Sequence, residues 1–233
     1  MTALIVLAKV PRPGHSKTRL CPPCTLQEAS LLAEAALVDT LDAVRLASVE
    51  RRIVAIDGDP DKWSADGFEV IRQRGSSLDR RLTAVFADVG GQSLLIGMDT
   101  PQVTAALLNA SVSALEDAQA NAVVGPTPDG GYWAVGLERP DERVFGGVPM
   151  SSSETCAVQL ARLRELELAV RLLPALEDVD DFRSATRVAQ CAPGTEFAST
   201  LEKLFPSDRV RPTTVMVEGG GCRELMDKRR RSS

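Results

Sequence analysis

Apolar residues fall along the chain in two rhythms, short continuous runs and longer stretches at helical spacing, and the two alternate. The first run, TALIVLAK (residues 2–9), reads as a strand buried on both faces, the kind found in parallel sheets. Pro11, Pro13, Pro22 and Pro23, with Gly14, break residues 10–23 into a loop that excludes regular structure. Thr25 opens a helix, and Glu28 three residues later completes a capping-box pattern. Leu31, Leu32, Ala35, Ala36 and Val38 continue at helical spacing towards Val49. Further strands are predicted at 52–56, 68–71, 93–97, 122–125, 132–137 and 170–173. Helices are predicted at 78–89, 103–118, 154–166, 182–190 and 195–204, with Gly90-Gly91 stopping the first of these.

Strands alternating with helices imply an α/β chain. We expect a single three-layer α/β/α Rossmann-like domain over residues 1–205, with a mostly parallel sheet covered on both faces. In such sheets ligands bind beyond the carboxyl ends of the strands. The loops of interest are therefore 9–20, 97–101 and the turns around Asp129 and Asp178. Residues 206–233, with Gly219 to Gly221 and the basic Lys228 to Arg231, read as a solvated, poorly ordered extension.

Composition narrows the function more than the fold. Of 233 residues, 44% are hydrophobic and 25% charged, ordinary for a soluble globular protein. Lys plus Arg is 27 against 32 for Asp plus Glu, a net charge of −5 that argues against coating nucleic acid or an anionic membrane. A local basic site for phosphates remains open. The single histidine, His15, excludes a multi-histidine zinc site, and any Ser-His or Cys-His dyad would have to use it. The apolar runs are far shorter than the ~20 residues that span a bilayer. Lys9 interrupts the first run too early for a signal peptide, so a cytoplasmic protein without a membrane span is expected. Five cysteines are too few and too scattered for a disulfide scaffold.

Four stretches could carry chemistry. The loop AKVPRPGHSKTRL sets Gly14 among Lys9, Arg12, Lys17 and Arg19, which suits a polyphosphate and equally a solvated basic loop. Lys17-Thr18 fits the end of a Walker A motif, but Ser16 and Pro11 stand where its glycines belong, so that motif is rejected. Asp99, at the end of a buried strand and ahead of Pro101, is placed either to hold a divalent ion or to cap the next helix; Thr100 could cap and leave Asp99 free. In PTPDGGYWAVGL, Asp129-Gly130-Gly131 permits a tight turn close to a ligand, and Tyr132 and Trp133 fit either a ring-binding face or the core. In the cluster Glu177, Asp178, Asp180 and Asp181, the spacing of two lets Asp178 and Asp180 point the same way and share a cation, although acidic turns are commonly only solvated. Separately, Cys21-Pro-Pro-Cys24 has the C-x-x-C spacing of thiol–disulfide motifs, with an adventitious pair as the alternative.

Taken in order, AKVPRPGHSKTRL, GMDTP, DGGYWAVGL and LEDVDD resemble a bacterial family of glycosyltransferase-A-like proteins. That family is related to the nucleotidyltransferases that make the guanylylated molybdenum cofactor and phospholactyl-guanosine diphosphate. The resemblance runs from about residue 2 to about residue 204. It implies the nucleotide-diphospho-sugar transferase fold (GT-A type), a nucleoside polyphosphate, and Mg²⁺ or Mn²⁺. By position it implies that Gly14, Lys17 and Arg19, within the basic loop that also holds Lys9 and Arg12, bind the nucleotide. It implies that Asp99 coordinates the metal, completed by Asp178 or Asp180. Asp129 would face the acceptor or sugar as base or orienter, beside Gly130, Gly131, Tyr132 and Ser151 on the substrate side. The chain departs from the family at Met150-Ser151-Ser152, where a Trp-Ser-Thr stretch is usual. The activity implied is metal-dependent transfer from a nucleotide sugar to a small-molecule acceptor, or nucleotidyl transfer from an NTP. A CPPC thiol oxidoreductase or a non-catalytic nucleotide-binding protein are the readings of another class.

Overall fold

The structure, a computed structural model, describes residues 2–59 and 65–206. The extension predicted for 206–233, and Cys222 within it, lies almost wholly outside the described residues. Seven strands form one sheet: β1 (Ala3–Lys9), β2 (Arg51–Asp57), β3 (Glu69–Arg72), β4 (Ser93–Gly97), β5 (Ala122–Pro126), β6 (Tyr132–Leu137) and β7 (Val170–Leu172). Their order across the sheet is β3-β2-β1-β4-β6-β5-β7. The helices are α1 (Leu26–Leu46), α2 (Leu78–Val89), α3 (Ala105–Glu116), α4 (Thr155–Glu165), α5 (Phe182–Cys191) and α6 (Glu196–Leu204).

The period of two in a strand sends alternate side chains to opposite faces, and both faces are covered. Leu4, Val6, Val54, Ile56, Leu94 and Ile96 meet Leu37, Leu41 and Val44 of α1 and Leu108, Val112 and Leu115 of α3. On the other face Ile5, Ile53, Leu95, Val124 and Val135 meet Leu82, Val85 and Phe86 of α2 and Leu163 of α4. Helices α5 and α6 form an outer pair, with Val188, Phe197 and Leu201 packed on Leu32, Ala35 and Ala36 of α1. The expected three-layer α/β/α architecture is borne out.

Local signals act where expected. Thr25 and Glu28 make the reciprocal capping box of α1. Gly90, at φ 66°, closes α2. Within the proline-broken loop, residues Thr18–Leu20 nonetheless form one 3₁₀ turn. Helix α3 starts later than its apolar pattern, because Thr104 caps it by accepting from the Leu107 amide at 3.2 Å. Thr100 is therefore not the cap, and its buried hydroxyl has no hydrogen-bond partner.

One strand decides where the loops go. Strand β1 runs parallel to β2 and β4, while β6 lies antiparallel to β4 and to β5. Two reversals return β5 to the direction of β4, and β7 runs parallel to β5. The carboxyl ends of β1, β4, β5 and β7 thus share one edge with the amino end of β6. That edge collects the loop after Lys9, Asp99, the Asp129-Gly130-Gly131 turn and the segment after β7.

Candidate active site

A cleft of about 740 Å³ opens along that edge. Of the residues singled out from the sequence, Lys9, Lys17, Arg19, Asp99, Asp129, Gly131, Tyr132, Ser151, Asp178 and Asp180 line it, and so does His15. Positions up to about 170 apart in the chain meet here because the sheet's crossovers bring their loops to one side.

Lys17 is held at φ 51°, ψ 37°, a left-handed backbone unusual for a residue with a Cβ. Its ammonium lies 2.7 Å from Asp99 Oδ1 and also donates to the Val179 carbonyl. The Val179 amide in turn donates to the Asp99 carbonyl at 2.9 Å, joining the end of β4 to the late acidic turn. Arg19 Nη1 lies 3.2 Å from Asp180 Oδ2.

The carboxylates of Asp129, Asp178 and Asp180 each offer an oxygen within 4.8 Å of the others. Asp129 is oriented by the Gly131 amide at 3.0 Å and by the Thr127 hydroxyl, both donating to Oδ1. Burial pushes the Asp178 carboxyl up to about 6, and the negative charges of Asp129 and Asp180 push the same way; Lys17 opposes them. The other two acids of the cluster serve the scaffold. Glu177 pairs with Arg187, and Asp181 caps α5 in a box with Ser184. This grouping differs from the expected one: Asp129 stands with Asp178 and Asp180, while Asp99 is engaged by Lys17.

Three expected contact residues shape the cleft without lining it. Gly14 supplies φ 78° to the loop, and Arg12 is exposed, its carbonyl accepting from the His15 and Ser16 amides. Gly130, at φ 91°, sits against Ser153, whose carbonyl oxygen would lie 1.9 Å from an added Cβ. The Gly130 carbonyl accepts from the Cys156 amide at 2.8 Å, so the turn is pinned to the start of α4. Trp133 is 3% exposed and donates to the Pro174 carbonyl at 2.9 Å, so most of it belongs to the core. Tyr132 is half-buried, its hydroxyl directed to Met150 Sδ at 3.8 Å, and burial pushes its phenol pKa well up. Ser151 lines the cleft at φ 59°, beside Ser152 and Ser153.

Sequence reasoning missed Gln73 and Arg81, which also line the cleft. Gln73 Nε2 donates to the Ala8 and Ala55 carbonyls at 2.9 and 2.8 Å, and Arg81 pairs with Asp57 at 2.6 Å. The carboxyl-edge rule, extended to β3, points to Gln73. The CPPC pair sits outside the cleft, with both thiols free. Cys24 is 4% exposed, and its thiol is pushed up to about 11 by burial, then by Cys21 and Glu28. A thiol-exchange nucleophile needs the opposite shift.

Residues 40–152 match the model of a bacterial family described as an uncharacterised protein conserved in bacteria, DUF2064. Over this stretch the chain is similar to that family. The match takes in GMDTP and DGGYWAVGL, two of the four stretches that carried the expected resemblance. No curated protein matches the chain. Among solved structures, a protein described as a nucleotide-diphospho-sugar transferase from Desulfovibrio desulfuricans G20 is similar at a TM-score of 0.76 and 23% identity, covering 87% of this chain and 94% of that one. A cytidylyltransferase from Leptospira borgpetersenii is similar at 0.55 and 11%, over 87% and 94% of the two chains. The CMP:2-keto-3-deoxy-manno-octonic acid synthetase complexed with CTP is similar at 0.53 and 13%, over 81% and 97%. These likenesses establish the nucleotide-diphospho-sugar transferase fold. Among the described residues, no helix is long and apolar enough to cross a membrane.

Proposed function

We propose that this protein is a metal-dependent transferase that takes a nucleotide-activated donor, with glycosyl transfer from a nucleotide sugar as its reaction. The observation that carries the reading is the meeting of Lys17, Asp99, Asp129, Asp178 and Asp180 in one cleft beyond the carboxyl ends of the strands. The Desulfovibrio likeness, which spans nearly the whole fold, supports the same class.

The donor set suits Mg²⁺ or Mn²⁺. Asp129, Asp178 and Asp180 offer hard carboxylate oxygens within 4.8 Å of one another, and a cation would offset the burial and the neighbouring negative charges that raise Asp178. Asp99 adjoins them across Lys17. When bound there, the ion neutralises charge on donor phosphate oxygens. The chain's own groups do the rest. Lys17, Arg19 and Lys9 put ammonium and guanidinium donors where a diphosphate leaving group gains negative charge. Asp129, held by Thr127 and Gly131, is fixed to accept a proton from, or orient, an acceptor hydroxyl. Ser151, Gly131 and Tyr132 form the wall on that side.

Nucleotidyl transfer, with pyrophosphate leaving and the α-phosphorus attacked, is the second reading. It is favoured by the similarity to a cytidylyltransferase and to a synthetase bound to CTP. A thermal-shift screen of UDP- and GDP-sugars against NTPs, each with and without Mn²⁺, separates the two. A ligand at about 100 times its Kd adds roughly 2.7 kcal/mol. Stabilisation by a nucleotide sugar that requires Mn²⁺ and vanishes in Asp178→Asn is the expected result. Preferential response to an NTP favours the second reading, and no response to any nucleotide overturns both.

A further inference from the structure

Two of the cations that line the cleft are matched to acids of its acidic side: Lys17 to Asp99, Arg19 to Asp180. The first of these pairs differs from an ordinary surface ion pair. The Lys17 side chain is only 11% exposed, it reaches back from a left-handed backbone, and two of its three ammonium donors are directed to Asp99 and to the Val179 carbonyl. It thus bridges the end of β4 and the late acidic turn, the two segments already joined by the Val179 amide and the Asp99 carbonyl. The same ammonium acts electrostatically on Asp178. A single positive charge thus holds Asp99 and stands next to the carboxylates that a divalent ion would need.

We propose that Lys17 withholds Asp99 from the neighbouring carboxylate cluster, and that cation and polyphosphate binding are coupled through this one side chain. With no polyphosphate present, the ammonium holds Asp99 and Val179 together and repels an incoming divalent ion. A polyphosphate offers the ammonium anionic oxygens instead. As it turns to them, Asp99 loses its partner and the cleft's carboxylates become open to a cation. By linkage the cation in turn strengthens the grip on polyphosphate. This inference rests on the transferase reading for the existence of the cation site.

The test is a titration of Mn²⁺ alone into the unmodified protein and into Lys17→Met and Lys17→Gln, by calorimetry and by the electron paramagnetic resonance of free Mn²⁺. Two neutral variants are used so that one with an altered circular dichroism spectrum can be set aside. The neutral variants are expected to bind Mn²⁺ tighter by about tenfold or more, the scale of removing one unit charge a few ångströms away. Lys17→Arg, which keeps the charge, should bind as weakly as the unmodified protein. Equal or weaker binding in the neutral variants, with binding still lost in Asp178→Asn, overturns the coupling and leaves the cation site standing. Absence of Mn²⁺ binding in every form overturns both.

Discussion

Asp178 concentrates the electrostatics of the cleft in one side chain, and its titration has a definite sign. Below about pH 4 its carboxyl is protonated in folded and unfolded chains alike. Because its folded pKa stands up at about 6 and its unfolded one near 4, the folded protein holds more protons between about pH 4 and about pH 6, so raising the pH through that window removes stability. We expect the metal-free protein to lose about 1–2 kcal/mol relative to Asp178→Asn between about pH 4.5 and about pH 7, allowing for partial solvent screening. Urea unfolding of both proteins across that range measures it, and parallel pH profiles would contradict the assignment. Gly130 makes a steric prediction. Alanine there meets the Ser153 carbonyl and keeps a positive φ, so Gly130→Ala should destabilise by about 2 kcal/mol or more. It should also detach the 150–155 segment, read as faster proteolysis there. Neither side chain advertises its role in the sequence, since aspartates in turns and glycines in pairs are common. Asp178 was legible as a candidate through its spacing from Asp180, its place in a turn beyond the strands, and the resemblance of LEDVDD, but none of these told its burial.

Among the elements, the outer pair α5 and α6 depends on α1 for more than apolar contact. The Asp39 carboxylate of α1 accepts from the Glu196 and Phe197 amides, both at 2.8 Å, at the amino end of α6. These are amides that a helix cannot satisfy internally. Asp39→Ala should cost about 1–2 kcal/mol by chemical unfolding, the range for losing a helix cap. A loss near zero would mean water replaces the carboxylate without penalty. The pair α5 and α6 follows directly on the acidic turn, so its docking fixes where Asp178 and Asp180 stand. The sequence predicted nearly every element to within two residues, because capping boxes and apolar periodicity are local. It missed the Asp39 cap, since a carboxylate 157 residues away leaves no local trace.

For the molecule as a whole, function follows from how many separate loops one edge can hold. Four stretches separated by long intervals converge because every crossover returns the chain to the same side. The antiparallel β6 makes this possible: it turns the DGG segment into a hairpin connection at the cleft instead of a helix-length crossover. A whole-molecule consequence is that the thermal response to nucleotide with Mn²⁺ should vanish when EDTA is added. Chelation should leave the midpoint of the unliganded protein unmoved, since Lys17 and Arg19 already balance acids there.

Sequence alone determined the α/β class, the element boundaries, the basic loop, and the four motifs that carry the family resemblance. Each depends on residues within about one turn or one strand of each other. The tertiary structure decided the rest: the reversal at β6, the grouping of Asp129 with Asp178 and Asp180, the capture of Asp99 by Lys17, and the retreat of Arg12, Gly14 and Gly130 from the cleft wall. Those outcomes depend on strand order and loop closure over long intervals, and a chain's local pattern is the same whichever neighbour each strand finally takes.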